Sequence, residues 1–144
     1  MKRNRWTFII HWGPAVVIML VIFALSATPG KELPTFGVID WLVKKGSHML
    51  GYALLALGFL RGIAGAAGEV KPHWKYAGLA ILLTALYAMS DEAHQFFVAG
   101  RSSEWTDVGI DTTGGLIALF LWQLIPALRR LVFFQVQPTK ILSE

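Results

Sequence analysis

The ionisable and hydrogen-bonding residues of this chain gather in three short stretches. Lys45, His48 and Tyr52 are spaced i, i+3 and i+7, Asp91, Glu92, His94 and Gln95 fall close together, and Asp107 and Asp111 are spaced i, i+4. On helices, the first and third spacings each define one face. Segment 97–104, FVAGRSSE, joins the second stretch to the third and adds a cation, Arg101. Three chemistries suit such a set. In the first, His48 is a general acid or base oriented by a carboxylate such as Asp91, while Arg101 holds a phosphate. Histidine fits because its unperturbed pKa is about 6.5. In the second, Asp91, Glu92, Asp107, Asp111 and His48 hold a hard divalent metal such as Mg²⁺, Mn²⁺ or Ca²⁺. In the third nothing reacts: Arg101 and Lys45 contact the anionic part of a polar headgroup, and the acids its cationic or hydroxyl part. HExxH, DxD, G-x-S-x-G and P-loop patterns are all absent, so serine-hydrolase and nucleotide-driven readings fall away. With no cysteine in the chain, thiolate catalysis and Zn–Cys sites fall away too.

Each of these residues also has a plain packing explanation. Asp91 or Glu92 could pair with Lys45 or Arg101 simply to hold a bundle together. Asp107 and Asp111 would stand in the first turns of a helix, where carboxylates cap the end and complement the dipole. His48 could be an interfacial histidine, and His94 could face either the cavity or lipid headgroups. His11 and His73 have no acidic neighbours on their half of the chain and read as structural. Tyr87 reads as packing, and Lys31, Glu32 and Glu104 as solvated charges.

The elements that must position these groups are four apolar runs, at 6–25, 45–64, 74–96 and 106–128. A spanning helix needs about 20 mostly apolar residues, and each run supplies them. Composition agrees: of 144 residues, 55% are hydrophobic and 15% charged, and mean hydropathy is +0.54. A soluble globule carries about 25% charged residues; this chain lacks the polar surface for that class and the polarity of a disordered one. Its net charge of +4 does not line one face as nucleic-acid binding requires. Instead the cations segregate between runs. Lys2, Arg3, Arg5, Arg61, Lys71, Lys75, Arg129, Arg130 and Lys140 fall on one side, and Lys31, Lys44, Lys45 and Arg101 on the other. Nine against four places both termini in the cytoplasm. Trp6, Trp41, Trp74 and Trp105 each precede a run, where an indole prefers the membrane interface. The first run, with cations before it and Ala24-Leu25-Ser26 after it, has the outline of a signal peptide. It is longer than the usual apolar core of about 7–15 residues and reads as a retained span. Gly58 and Gly62 form a GxxxG in the second run, a common helix-packing motif. All the chemistry-bearing residues then lie at the outer end, with Asp91 and Glu92 near the boundary of the hydrocarbon, where carboxylates face a bundle interior or a wet cavity.

Three blocks, Lys45-x-x-His48-x-x-x-Tyr52-x-x-Leu55, Ser90-Asp91-Glu92-x-x-Gln95-x-Phe97-x-x-Gly100-Arg101 and Asp107-Val108-x-x-Asp111-Thr112-x-Gly114, resemble the VanZ-like family. Ser26-x-x-Pro29 resembles it too, so the likeness runs from about 25 to 119. The resemblance implies a small multi-span bacterial membrane protein; the family's founding member is associated with low-level teicoplanin resistance, and its reaction is undefined. Carried over by position, the motif residues are Lys45, His48, Tyr52, Asp91, Glu92, Gln95, Arg101 and Asp107. This chain departs from the family at Lys44, where many relatives carry an acid, and at Asp111, commonly Asn.

The reading is a single domain over 1–144, all-α, polytopic, with four transmembrane helices, N-in and C-in, in the inner membrane. Its polar site faces outward. His48, Asp91, Glu92 and Arg101 are the expected reactive set, and Lys45, Tyr52, Gln95, Arg101 and Asp107 the expected substrate-binding set. The expected partner is an envelope lipid or lipid-linked cell-wall precursor, not nucleic acid. An enzyme acting on that headgroup and a purely structural interaction protein are the alternatives, with metal, cofactor and oligomeric state left open.

Overall fold

The computed structural model describes residues 5–67 and 74–133. Five α-helices follow one another: α1 (Arg5–Ser26), α2 (Asp40–Ala66), α3 (Trp74–Gln95), α4 (Trp105–Leu124) and α5 (Pro126–Phe133). Two 3-10 turns, Gly30–Glu32 and Gly37–Ile39, lie between α1 and α2. Among the orientation markers, Lys2, Arg3, Lys71 and Lys140 lie outside the described residues, as does His73.

Local chemistry explains the boundaries. α1 carries Pro14 within it, which neighbouring helices allow in an apolar span. It stops before Pro29, and its last carbonyls are taken by Ala27 N–H to Phe23 O (2.8 Å) and Thr28 Oγ1 to Ala24 O (3.0 Å). α2 begins five residues earlier than the apolar run suggests. Asp40 accepts the Phe36 N–H (3.1 Å) and pairs with Lys44 (2.7 Å) one turn on, so a first turn forms ahead of the hydrophobic stretch. The fourth run is corrected at its end. Ile125 is extended (φ −102°, ψ 106°) and α5 turns away from α4 by 109°. Pro126 is the reason: it lacks an N–H and disfavours helical conformation in the residue before it.

Among the described residues two segments, Trp6–Ser26 and Gly37–Ala66, are long and apolar enough to cross a membrane, and α4 with α5 makes a third if that bent pair is one span. α3 falls short because Lys75 begins it and Asp91, Glu92 and His94 end it. This is a membrane protein with two to three candidate spans. Outward-facing Val17, Leu20, Leu50, Leu82, Leu86, Leu116 and Phe120 give it an apolar girdle that water would not cover.

α2 is the central helix, packed on α1, α3 and α4. Its Tyr52, Leu55, Ala56, Leu60 and Ala64 are fully buried. Small residues set the close approaches. A Cβ on Gly58 would stand 3.1 Å from the Ala15 backbone, and one on Gly62 2.7 Å from the Trp12 ring. The GxxxG is therefore occupied within the chain, against α1. On the other side Gly114 of α4 lies against the Met49 carbonyl, and Gly115 near Ala56 and Thr84. These mid-helix contacts, with Lys45 against Asp107 nearer the two starts, run α2 and α4 in the same direction, while Trp12 near the start of α1 meets the end of α2. The helices thus alternate in direction. Gly30 N–H donates to Ala99 O (3.1 Å), tying the α1–α2 connection to the α3–α4 connection at one end.

Candidate functional site

That end collects the polar residues. α1 brings Ser26 there by its last turn, α3 brings Asp91 and Gln95 by its last turn, α2 brings Lys45 and His48 by its second and third turns, and α4 brings Asp107 and Asp111 by its first two turns. They surround a recess of about 170 Å³ whose wall includes Lys44, Lys45, His48, Gln95, Arg101, Asp107 and Asp111.

One ion pair and one near-pair join α2 to α4, and a second ion pair lies within α2. Lys45 Nζ donates to Asp107 Oδ1. Lys44 is held by Asp40 on its own helix (2.7 Å). His48 Nδ1 stands 3.7 Å from Asp111 Oδ2, beyond hydrogen-bonding reach. Asp111 is 1% exposed, and its Oδ2 has no hydrogen-bond partner among the described residues.

Behind this wall lies a buried polar knot. Ser26 Oγ donates to Asp91 Oδ2 (2.8 Å), and Gln95 Nε2 donates to the same oxygen (3.0 Å). Asp91 Oδ1 and the Tyr52 hydroxyl have no partner among the described residues. Tyr52 lies one turn deeper than His48, with ring centroids 6.5 Å apart, and 6.2 Å from Tyr87. Tyr87 donates its hydroxyl to Met19 O (2.6 Å), so it packs and bonds α3 to α1. Asp91 and Tyr52 therefore support the wall and do not line the recess.

Glu92 is placed elsewhere. It faces a second recess, shared with Phe96, Phe97 and Trp105, and its Oε2 accepts the Glu104 N–H (3.0 Å) at the start of α4. Adjacent helical residues diverge by about 100°, and here that turn carries Glu92 to the second recess while Asp91 stays in the interior. His94 goes to neither recess: its ring stacks on Phe23 at 4.7 Å. His11 is buried at the opposite end, against Gly65. Among the described residues no three His, Asp or Glu side chains come together in a group that could hold a metal ion.

Arg101 closes the recess from the α3–α4 loop. Its Nε donates to Thr28 O (3.2 Å) and its Nη2 to Leu25 O (2.6 Å), so it binds carbonyls in the last turn of α1 and just beyond it. Gly100, with φ +75°, makes the turn that aims it, a conformation suited to glycine. Arg101 and His48, with Leu33 and Lys44, also form part of the wall of an apolar groove of about 350 Å³, lined further by Ile22, Leu25, Phe36, Val43 and Ser47.

Sequence spacing missed Ser26 and Lys44 as members of this assembly. Ser26 had a signal, its place in Ser26-x-x-Pro29, but an apolar helix gives no clue that its last residue meets an acid from another helix. Asp111, set aside as a departure, lies in the wall. The VanZ/LLP1 family pattern matches residues 8–126, which takes in most of α1, all of α2, α3 and α4, the first residue of α5 and every residue of the recess. No curated protein and no solved structure matches the chain. With most of its length covered by that pattern, the chain belongs to the VanZ/LLP1 family.

Proposed function

We propose that this protein binds an amphiphilic envelope molecule, a lipid or a lipid-linked cell-wall precursor, at the recess between α2, α3 and α4. The observation that carries this reading is the shared wall: a charged recess and an apolar groove meet at Leu33, Lys44, His48 and Arg101. A polar head and an apolar chain on one molecule need that juxtaposition. Lys45, Gln95, Arg101 and Asp107 contact the head, and Asp91 and Tyr52 hold the wall from behind. Four crossings of the inner membrane, with both termini inside and the recess outside, complete the proposal. Its support is the charge asymmetry of the sequence and the exposed Trp41 and Trp105 at the recess end, with Trp6 and Trp74 at the other. Glycopeptide resistance, teicoplanin included, would follow if the bound molecule is the precursor that the drug also recognises.

A second reading is an enzyme on the same head. His48 lines the recess with Asp111 Oδ2 3.7 Å from its Nδ1, which sets a carboxylate beside a candidate acid–base histidine. One experiment separates the two: mass spectrometry of envelope lipids and cell-wall precursors from cells making wild type or His48→Ala at matched protein levels. A species present with wild type alone makes the protein an enzyme, and its mass difference names the reaction. Identical profiles, with a co-purifying ligand lost from His48→Ala, support binding. A change confined to protein level overturns both and leaves a bundle-stabilising role.

A further inference from the structure

The charged groups of the recess are not all hydrogen-bonded to opposite charges among the described residues. Lys44 is paired with Asp40 and Lys45 with Asp107. Two groups of opposite sign make no hydrogen bond to an opposite charge among the described residues. The Arg101 guanidinium donates to backbone carbonyls, Thr28 O and Leu25 O, and has no carboxylate partner among the described residues. The Asp111 carboxylate is 1% exposed, its Oδ2 accepts no hydrogen bond among the described residues, and His48 Nδ1 stands 3.7 Å from it, too far to donate one. Both line the same recess of about 170 Å³. Leaving a buried charge unpaired is costly, and a ligand carrying both signs would satisfy both groups at once.

Their order relative to the groove is informative. Arg101 belongs to the wall of both the recess and the apolar groove, whereas Asp111 belongs to the recess alone. A molecule whose chain lies in the groove meets the cation first and the carboxylate last. Resting on the lipid-binding reading above, we infer that the site is selective for a zwitterionic lipid whose phosphate adjoins the chain and whose protonated amine is distal, the order found in phosphatidylethanolamine. Arg101 takes the phosphate through a charge-assisted fork. A primary ammonium, with three N–H donors, reaches the free oxygen of Asp111. A lipid with the same phosphate but a neutral, hydroxylated head leaves Asp111 unpaired.

The test is binding of short-chain phosphatidylethanolamine and phosphatidylglycerol to the purified full-length protein in detergent, read by native mass spectrometry. The wild type is expected to prefer phosphatidylethanolamine by about tenfold or more. Asp111→Asn, which keeps shape, is expected to bind both lipids alike, and its retained phosphatidylglycerol binding shows that it folds. Free phosphoethanolamine, lacking the chain, is expected to leave the lipid in place at equal concentration; displacement at that concentration would assign the site to a soluble ligand instead. Equal wild-type affinities, or a preference unchanged in Asp111→Asn, overturn the headgroup assignment and leave the lipid site standing. Binding of neither lipid by the wild type overturns this assignment and removes support from the lipid site itself.

Discussion

Asp91 shows how one carboxylate can organise an end of a helix bundle without touching the cavity. It is 3% exposed and collects the Ser26 hydroxyl and the Gln95 amide on a single oxygen. Asp91→Ala strands both donors in the interior, and we expect a loss of about 1–3 kcal/mol, read as a lower unfolding midpoint in detergent. Ser26→Ala removes one donor and leaves Gln95 on Asp91, so its loss should be the smaller. Lys45 and Asp107 bridge α2 to α4 from partly buried positions, and a double-mutant cycle to alanine should return a coupling of about 0.5–3 kcal/mol. Additive effects would show that the pair is solvated rather than joined. The membership of the polar cluster was largely legible from residue types and spacing, since Lys45, His48, Gln95, Arg101 and Asp107 do meet. Its pairing was not. Spacing assigns faces within one helix and says nothing of which helix stands opposite, so it offers Asp91 or Glu92 as a partner for Lys45, where the structure has Asp107. Glu92 was misplaced because sequence proximity to Asp91 outweighed the turn of the helix between them.

At the scale of the elements, glycine positions separate contact from decoration. Gly114 sits against the Met49 carbonyl with no room for a methyl group, whereas a Cβ on Gly78 meets nothing within 4 Å. Gly114→Ala is expected to push α4 from α2, lowering the unfolding midpoint and opening the Lys45–Asp107 bridge. Gly78→Ala should be neutral or stabilising by up to about 1 kcal/mol from helix propensity; thermal unfolding of the two variants side by side checks both. Each of the two helices buries one face, Thr84, Ala88, Asp91 and Gln95 on α3 and Asp111, Gly114, Gly115 and Ala118 on α4. The bend between α4 and α5 was not read, because apolarity continues through Leu124 and Ile125 while the backbone cannot. Pro126 carries that information, and a hydropathy scan ignores it.

For the whole molecule, the proposed orientation puts the recess outside. The absence of cysteine makes single-cysteine probes clean. Ser102→Cys, exposed beside Arg101, should react with a membrane-impermeant maleimide in intact cells, and Lys75→Cys, exposed at the other end of α3, only after permeabilisation. The reverse pattern would turn the molecule over. The account rests most heavily on the groove and recess acting together, and the most direct test is to block the groove alone. Ser47 lines it on α2, while Leu86 faces outward from α3 and away from it. Lipid carried through purification from membranes should be compared for wild type, Ser47→Trp and Leu86→Trp, with unfolding midpoints measured alongside. Wild type and Leu86→Trp should retain the same bound species, and Ser47→Trp should lose most of it at an unchanged midpoint. Full retention of that species by Ser47→Trp would contradict the account, because the chain would then lie somewhere other than the groove.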